Sequence, residues 1–173
     1  MTRRRVEVVP YSSEWLELFS NEKVILEAIF KAADANIHHI GSTSVPGLSA
    51  KPIIDILLAA EKLEDVEEAT PQLEAEGYEA KGENGIIGRR YFQKSDNGIR
   101  KVHLHAFEKG SHDLYRHLVF RDFLREHPEE AKRYAEVKEK AAREYEFDIE
   151  SYIAEKSPIV KVLEEKAMRW KPL

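Results

Sequence analysis

The segment "KPIIDILLAA", residues 51–60, constrains this chain more than any other stretch. It is apolar, β-branched and bounded by turn formers, so it reads as a buried strand. Side chains alternate along a strand, which puts Ile54, Ile56 and Leu58 on one face and Ile53, Asp55 and Leu57 on the other. The first set makes a clean core face. An ionised carboxylate is rarely buried without a partner. Asp55 is therefore expected to face a site, or else to form a structural ion pair with Lys51. The site is preferred because of what precedes the strand. In "HIGSTSVPG" an apolar strand ends at Gly41-Ser42, and Thr43 and Ser44 add two more hydroxyls. Backbone amides and hydroxyls freed at such a turn can cradle a phosphate. The tetrapeptide alone reads rather as an ordinary tight loop with serines capping a helix, since such loops are common.

The flanking pattern mixes strands and helices. "RVEVV" alternates and reads as a short strand, and "SSEWLELFSNEKVILEAIFKAA" as a helix capped by Ser12 or Ser13. "LEDVEEATPQLEAEGY" is an amphipathic helix ending at Gly77, with Pro71 expected to kink or split it. "GIIGRRYFQKS" and "IRKVHLHAFE" read as antiparallel strands joined by a turn at Asp96-Asn97-Gly98. Beyond Ser111 the pattern is helical, with Pro128 and Pro158 each expected to open a new first turn. The expectation is one α+β domain over residues 1–173, with a mixed core over 1–110 and a helical part over 111–173.

In "KVHLHAF" the residues His103 and His105 alternate with Val102, Leu104 and Ala106, so both imidazoles share a face. With Asp55 they could form a two-histidine, one-carboxylate metal site, which suits a transition metal better than magnesium. A solvated sheet face is the plainer reading. His39 is expected to fix the Gly41 loop by a hydrogen bond. Lys51, one of Arg89 and Arg90, and Arg121 are candidate phosphate contacts, since guanidinium matches phosphate bidentately. Tyr134/Lys138 and Tyr152/Lys156 are each one helical turn apart. Such pairs can cover a cleft, though more often the lysine stem simply lies along the ring.

The 173 residues include no cysteine, which excludes disulfides, zinc fingers and thiol catalysis. The formal net charge of −5 argues against general nucleic-acid binding. "MTRRRVEVVPYSSEW" has a basic start with no apolar stretch behind it, and no segment reaches the roughly twenty apolar residues of a membrane helix. A cytoplasmic protein without membrane partners is expected.

The block "HIGSTSVPGLSAKPIIDILL" resembles the central block of the GrpB family, a branch of the nucleotidyltransferase superfamily that includes polymerase beta. "VEVVPYSSEW", "HLHAF", "FRDFLREHPEEAKRYAEVK" and "YIAEKSPIV" extend the resemblance over nearly the whole chain. It implies a nucleotidyltransferase-like mixed sheet flanked by helices. It implies a divalent metal ion, magnesium, manganese or another transition metal, and a nucleotide or other phosphorylated small molecule as ligand. Gly41, Ser42, Thr43, Ser44, Lys51 and Arg121 would meet phosphate, Asp55 would be catalytic, and Asp55, His103 and His105 would hold the metal. Superfamily members usually carry Asp-x-Asp on one strand and a third carboxylate on its neighbour; here Leu57 stands at the second position. Three readings follow: a metal-dependent nucleotidyltransferase, a non-catalytic module binding a phosphorylated ligand, and a metal-dependent phosphohydrolase.

Overall fold

The computed structural model describes residues 4–171; residues 1–3 of the basic start and the last two of the expected helical stretch lie outside the described residues. Five strands form one mixed sheet in the order β1-β2-β5-β4-β3. They are β1 (Asn36–Ile40), β2 (Ile54–Ala60), β3 (Tyr78–Ala80), β4 (Arg90–Asp96) and β5 (Ile99–Glu108). β2 is antiparallel to β1 and parallel to β5, and the β4–β5 hairpin turns through Asn97 and Gly98, both at positive φ. That two-residue turn matches the twist of the strands it joins. The architecture is α+β, with α1 (Glu14–Ile29), α2 (Leu63–Ala75), α3 (His112–Glu126), α4 (Pro128–Glu144) and α5 (Ile149–Trp170) around the sheet.

One sheet face carries the main core. Ile54, Ile56 and Leu58 pack with Leu104 and Phe92 beneath Leu26 and Phe30 on one side and Val66 and Leu73 on the other. The opposite face is covered only in part. Leu57, Ala59 and Phe107 meet Leu114 of α3, while Asp55, at the start of β2, stays 30% exposed. The last three helices pack on each other and on Val45 and Leu48, so they clamp the loop that follows the Gly41 turn. This packing leaves a cleft at the Asp55 end of the sheet.

Four local expectations change. "RVEVV" forms no strand: Val9 makes a single bridge to Ala50, and the Val6 amide donates to the Glu146 carbonyl at 2.6 Å. Tertiary pairing, not alternation, decides whether an extended segment joins a sheet. Pro71 does not split α2, and Pro158 lies inside α5 instead of opening a helix; Pro128 does open α4. An interior proline removes one backbone hydrogen bond at a cost of about 3 kcal/mol, which packing of the helix face can offset. β4 begins at Arg90, after turns through Gly82–Gly88, and β3 is a short edge strand that its three residues do not announce.

Leu57 is fully buried. Leu57→Asp is expected to lower stability by at least about 3 kcal/mol, from lost packing plus an unpaired buried carboxylate. Leu18→Asp, at a residue 46% exposed, should change it by only about 0.5 kcal/mol. Urea denaturation of the two variants measures the contrast.

Candidate functional site

Parallel pairing places Asp55 directly opposite His103 and Leu57 opposite His105, so the expected adjacency of the two strands holds. Asp55 Oδ1 lies 3.1 Å from His105 Nε2 and 3.4 Å from His103 Nδ1. Burial opposes ionisation of this carboxyl, but the hydrogen bonds from His103 and His105 overcome that and hold it well below the usual carboxylate range. No Lys51–Asp55 ion pair forms among the described residues; the Lys51 Nζ instead sits 4.6 Å from the centre of the Tyr152 ring.

Gly41 is required on two counts. Its φ of +72° disfavours any side chain, and a Cβ there would lie 2.7 Å from Asp55 Oδ2. The turn beyond it is tied internally: the Ser44 hydroxyl donates to the Gly41 carbonyl at 2.6 Å, and His39 Nε2 lies 2.9 Å from Thr43 Oγ1. His39 is stacked on Phe19, and burial, aided by Arg125, pushes its pKa down to about 4. His39 therefore holds the turn, as its position in the motif implies. Ser44 is spent in the same way, facing inward.

Arg89 is the residue the sequence left ambiguous. Arg90 leans away to Glu67, whereas Arg89 is buried and donates to the carbonyls of Glu83 and Asn84 at 3.1 and 2.8 Å. Its Nη1 also lies 3.3 Å from His105 Nδ1. A guanidinium can only donate, so this nitrogen accepts and Nε2–H is left to donate to Asp55. His117 packs beside His105, with ring centres 5.8 Å apart, and burial pushes its pKa down to about 4.

The donor atoms of Asp55, His103 and His105 all lie within 4.8 Å of one another, and His103 Nε2 is buried without a partner. Asp55 and His103 fit a cation: His103 Nδ1 faces Asp55 Oδ1, and its proton can move to Nε2, where no partner opposes it. His105 fits less well: ligation through Nε2 needs that nitrogen deprotonated and a proton on Nδ1, facing the Arg89 donors.

The C-terminal helices complete the site. A cleft of about 190 Å³ opens beside Asp55, with Ser42, Thr43, Lys51 and His103 on one side. Tyr134 and Lys138 of α4 and Tyr152 and Lys156 of α5 form the other. Both tyrosine–lysine pairs pack, with each ammonium over its ring at 4.5 and 5.2 Å, and both line the cleft. Lys138 is only 3% exposed and donates to Ser42 Oγ at 2.8 Å and to the Ser49 carbonyl at 2.6 Å. Burial, then Lys156, pushes the Lys138 pKa down to about 7; burial, Lys156 and Arg4 push Lys51 down to about 8. Burial also lowers Lys156 and pushes the Tyr134 hydroxyl up to about 12. Arg121 is not part of this lining: it binds Asp122 at 2.9 Å and the His39 carbonyl at 3.3 Å.

Fold and site together define an α+β protein with a carboxylate–imidazole cluster facing a lysine-lined cleft. The GrpB protein family model matches residues 5–166, and the chain belongs to this family. It is 47% identical over 169 residues to the UPF0157 protein YqkA of Bacillus subtilis, covering 98% of this chain but only 49% of that protein. The chain thus spans about half the length of that relative. It is 35% identical to the glutamate-rich protein GrpB of Alkalihalophilus pseudofirmus, covering 92% of this chain and 94% of that one. The crystal structure of the conserved protein GrpB from Enterococcus faecalis superposes with a TM-score of 0.89 at 38% identity, over 94% of this chain and 98% of that chain. Among the described residues no helix is long and apolar enough to cross a membrane.

Gly41→Ala and Gly47→Ala both force a side chain onto positive φ, but only the first meets a neighbour within 4 Å. Gly41→Ala is expected to cost about 1–2 kcal/mol more than Gly47→Ala. Equal melting temperatures for the two variants would remove the steric role assigned to Gly41.

Proposed function

We propose that the cleft binds the phosphates of a nucleotide and that the protein is a metal-dependent nucleotidyltransferase. The observation that carries this reading is the convergence of Lys51, Lys138 and Lys156, none with a carboxylate partner among the described residues, on a carboxylate–imidazole pair. One buried and two half-buried ammonium groups without a carboxylate partner favour an anion, and Asp55 favours a cation that binds the same anion. Asp55 and His103 would hold the cation, while His105, fixed by Arg89, would orient Asp55. When bound, a divalent cation neutralises phosphate charge and polarises the phosphorus centre.

The chain's own groups account for the rest. Gly41 lets bare backbone approach the phosphates, the Ser42 hydroxyl faces them, Thr43 lines the cleft with its hydroxyl held by His39, and Lys51 and Lys138 stabilise charge on the departing group. In the transfer, an acceptor oxygen forms a bond to the α-phosphorus as the bond from that phosphorus to the α–β bridging oxygen breaks. Pyrophosphate leaves with the electron pair, and the acceptor proton passes to solvent.

Leu57 favours the second reading, a module that binds a phosphorylated ligand without turnover. It stands where the resemblance expects a second carboxylate, and it is sealed in a packed cluster under α3. Calorimetric titration with manganese, then a nucleoside triphosphate panel with pyrophosphate detection, separates the two. Transfer predicts manganese binding that Asp55→Asn abolishes, and release of pyrophosphate. Binding without release selects the module, release of orthophosphate the hydrolase, and no nucleotide binding refutes both nucleotide readings.

The lysines also set a pH dependence. Both carry folded-state pKa values lowered from 10.5, to about 7 for Lys138 and about 8 for Lys51, so their charge is present at low pH and is lost as pH rises through those values. Affinity for inorganic tripolyphosphate is expected to fall between about pH 6 and pH 9. The anion itself gains charge over that range and opposes the fall, so sulfate, whose charge is constant there, is the sharper probe: a sulfate affinity that does not fall would contradict the assignment.

A further inference from the structure

A second cavity adjoins the cleft. It has a volume of about 620 Å³ and shares Lys51, Ile53 and His103 with the first. Small-molecule sites occupy roughly 300–1,000 Å³. The cleft, at about 190 Å³, has room for phosphate groups but not for all that a transfer reaction must bring together. β5 borders both spaces: His103 lines the two, and beyond the register shift opposite Lys94 and Ser95 the residues Ile99, Arg100 and Lys101 line the larger one. The same strand thus runs from the imidazoles outward into the larger cavity.

The lining is chemically lopsided. Arg4, Arg5, Lys51, Arg100 and Lys101 face one acid, Glu7, on a chain whose formal net charge is −5. Arg5 is taken by Glu146 at 2.8 Å. Among the described residues the other four basic groups form no ion pair, and Arg100 Nε is buried without a hydrogen-bond partner. Cations gathered without acids repel one another, and an anion relieves that cost. The apolar part of the wall is aliphatic: Ile99, Ile149 and Ile153 are 60%, 42% and 47% exposed. No Phe, Tyr or Trp lines the cavity among the described residues. An uncharged nucleoside has no use for so many cations, and a single-stranded nucleic acid wants aromatic platforms.

We infer that this cavity is the subsite of the second substrate, a small organic anion with an acidic head against Lys101, Arg100 and Arg4 and an aliphatic body against the three isoleucines. Its role as the acceptor rests on the nucleotidyl-transfer reading of the first cleft; its anion-binding character does not. Lys51 and His103, common to both spaces, bring the acceptor oxygen to the edge where the phosphates lie.

The test is calorimetry on the full chain with hexyl phosphate, hexanoate and hexanol as probes for the cavity, and tripolyphosphate as the probe for the cleft. Hexyl phosphate should bind, hexanoate more weakly, and hexanol not measurably. Lys101→Glu, at an exposed position, should weaken hexyl phosphate about tenfold or more, with Lys101→Gln between it and wild type. Lys138→Ala should leave hexyl phosphate unchanged and weaken tripolyphosphate. Circular dichroism establishes that each variant is folded. Failure of hexyl phosphate to bind, equal affinity in wild type and Lys101→Glu, or tighter binding of a short oligothymidylate overturns the inference. Absence of tripolyphosphate binding to the wild-type chain, with hexyl phosphate bound, would instead defeat the function proposed for the cleft and leave this anion site standing.

Discussion

The structure turns on the contact between a bare backbone and a carboxylate. Asp55 can ionise where it sits because two imidazoles on the next strand reach one of its oxygens, while Gly41 leaves room for the other. Both conditions come from strand register. Antiparallel pairing with β1 sets Ile40 opposite Asp55, so the chain leaves that strand at Gly41 beside the carboxylate. Parallel pairing with β5 sets His103 opposite it. A slip of one residue would turn Asp55 into the main core and Ile54 toward the histidines.

Around this point the protein separates two charges that would otherwise cancel. Asp55 is paired with imidazoles, not with lysine, and the three lysines of the cleft pack against tyrosine rings and accept the penalty of burial. A direct Lys51–Asp55 pair would be the cheaper arrangement electrostatically and would close the site. A cation side and an anion side kept apart within one cleft are what the proposed ligand, phosphate combined with a metal ion, would require.

Much of the sheet was readable because burial imposes alternation. Ile54, Ile56 and Leu58 against Asp55 gave the strand and its two faces, His103 and His105 gave the second strand of the site, and Asn97-Gly98 gave the hairpin. The helix-breaking weight placed on Pro71 and Pro158 was too great, since both helices gain more from packing than one lost hydrogen bond removes. The lysines were half visible. Lys138 falls in the stripe Ala131, Tyr134, Lys138, Ala141, where helical spacing calls for an apolar side chain, and all four are buried. Lys156 follows Tyr152 by one turn on the face that continues to Ile159 and Leu163. A cation at a core position of an amphipathic helix was the available signal.

The sequence by itself determined the local pieces: the strand that carries Asp55, the glycine turn before it, and the shared face of the two histidines, because alternation and backbone sterics act between near neighbours. Only the tertiary structure decided how charges separated by many residues would meet. It brought Lys138 and Lys156 across from the last helices to Ser42 and Asp55, sent Arg121 to Asp122 and the His39 carbonyl, and buried Arg89 against His105. Those outcomes depend on which helix face packs on which loop, and that is fixed by the summed burial of Val45, Leu48 and the apolar faces of α3, α4 and α5.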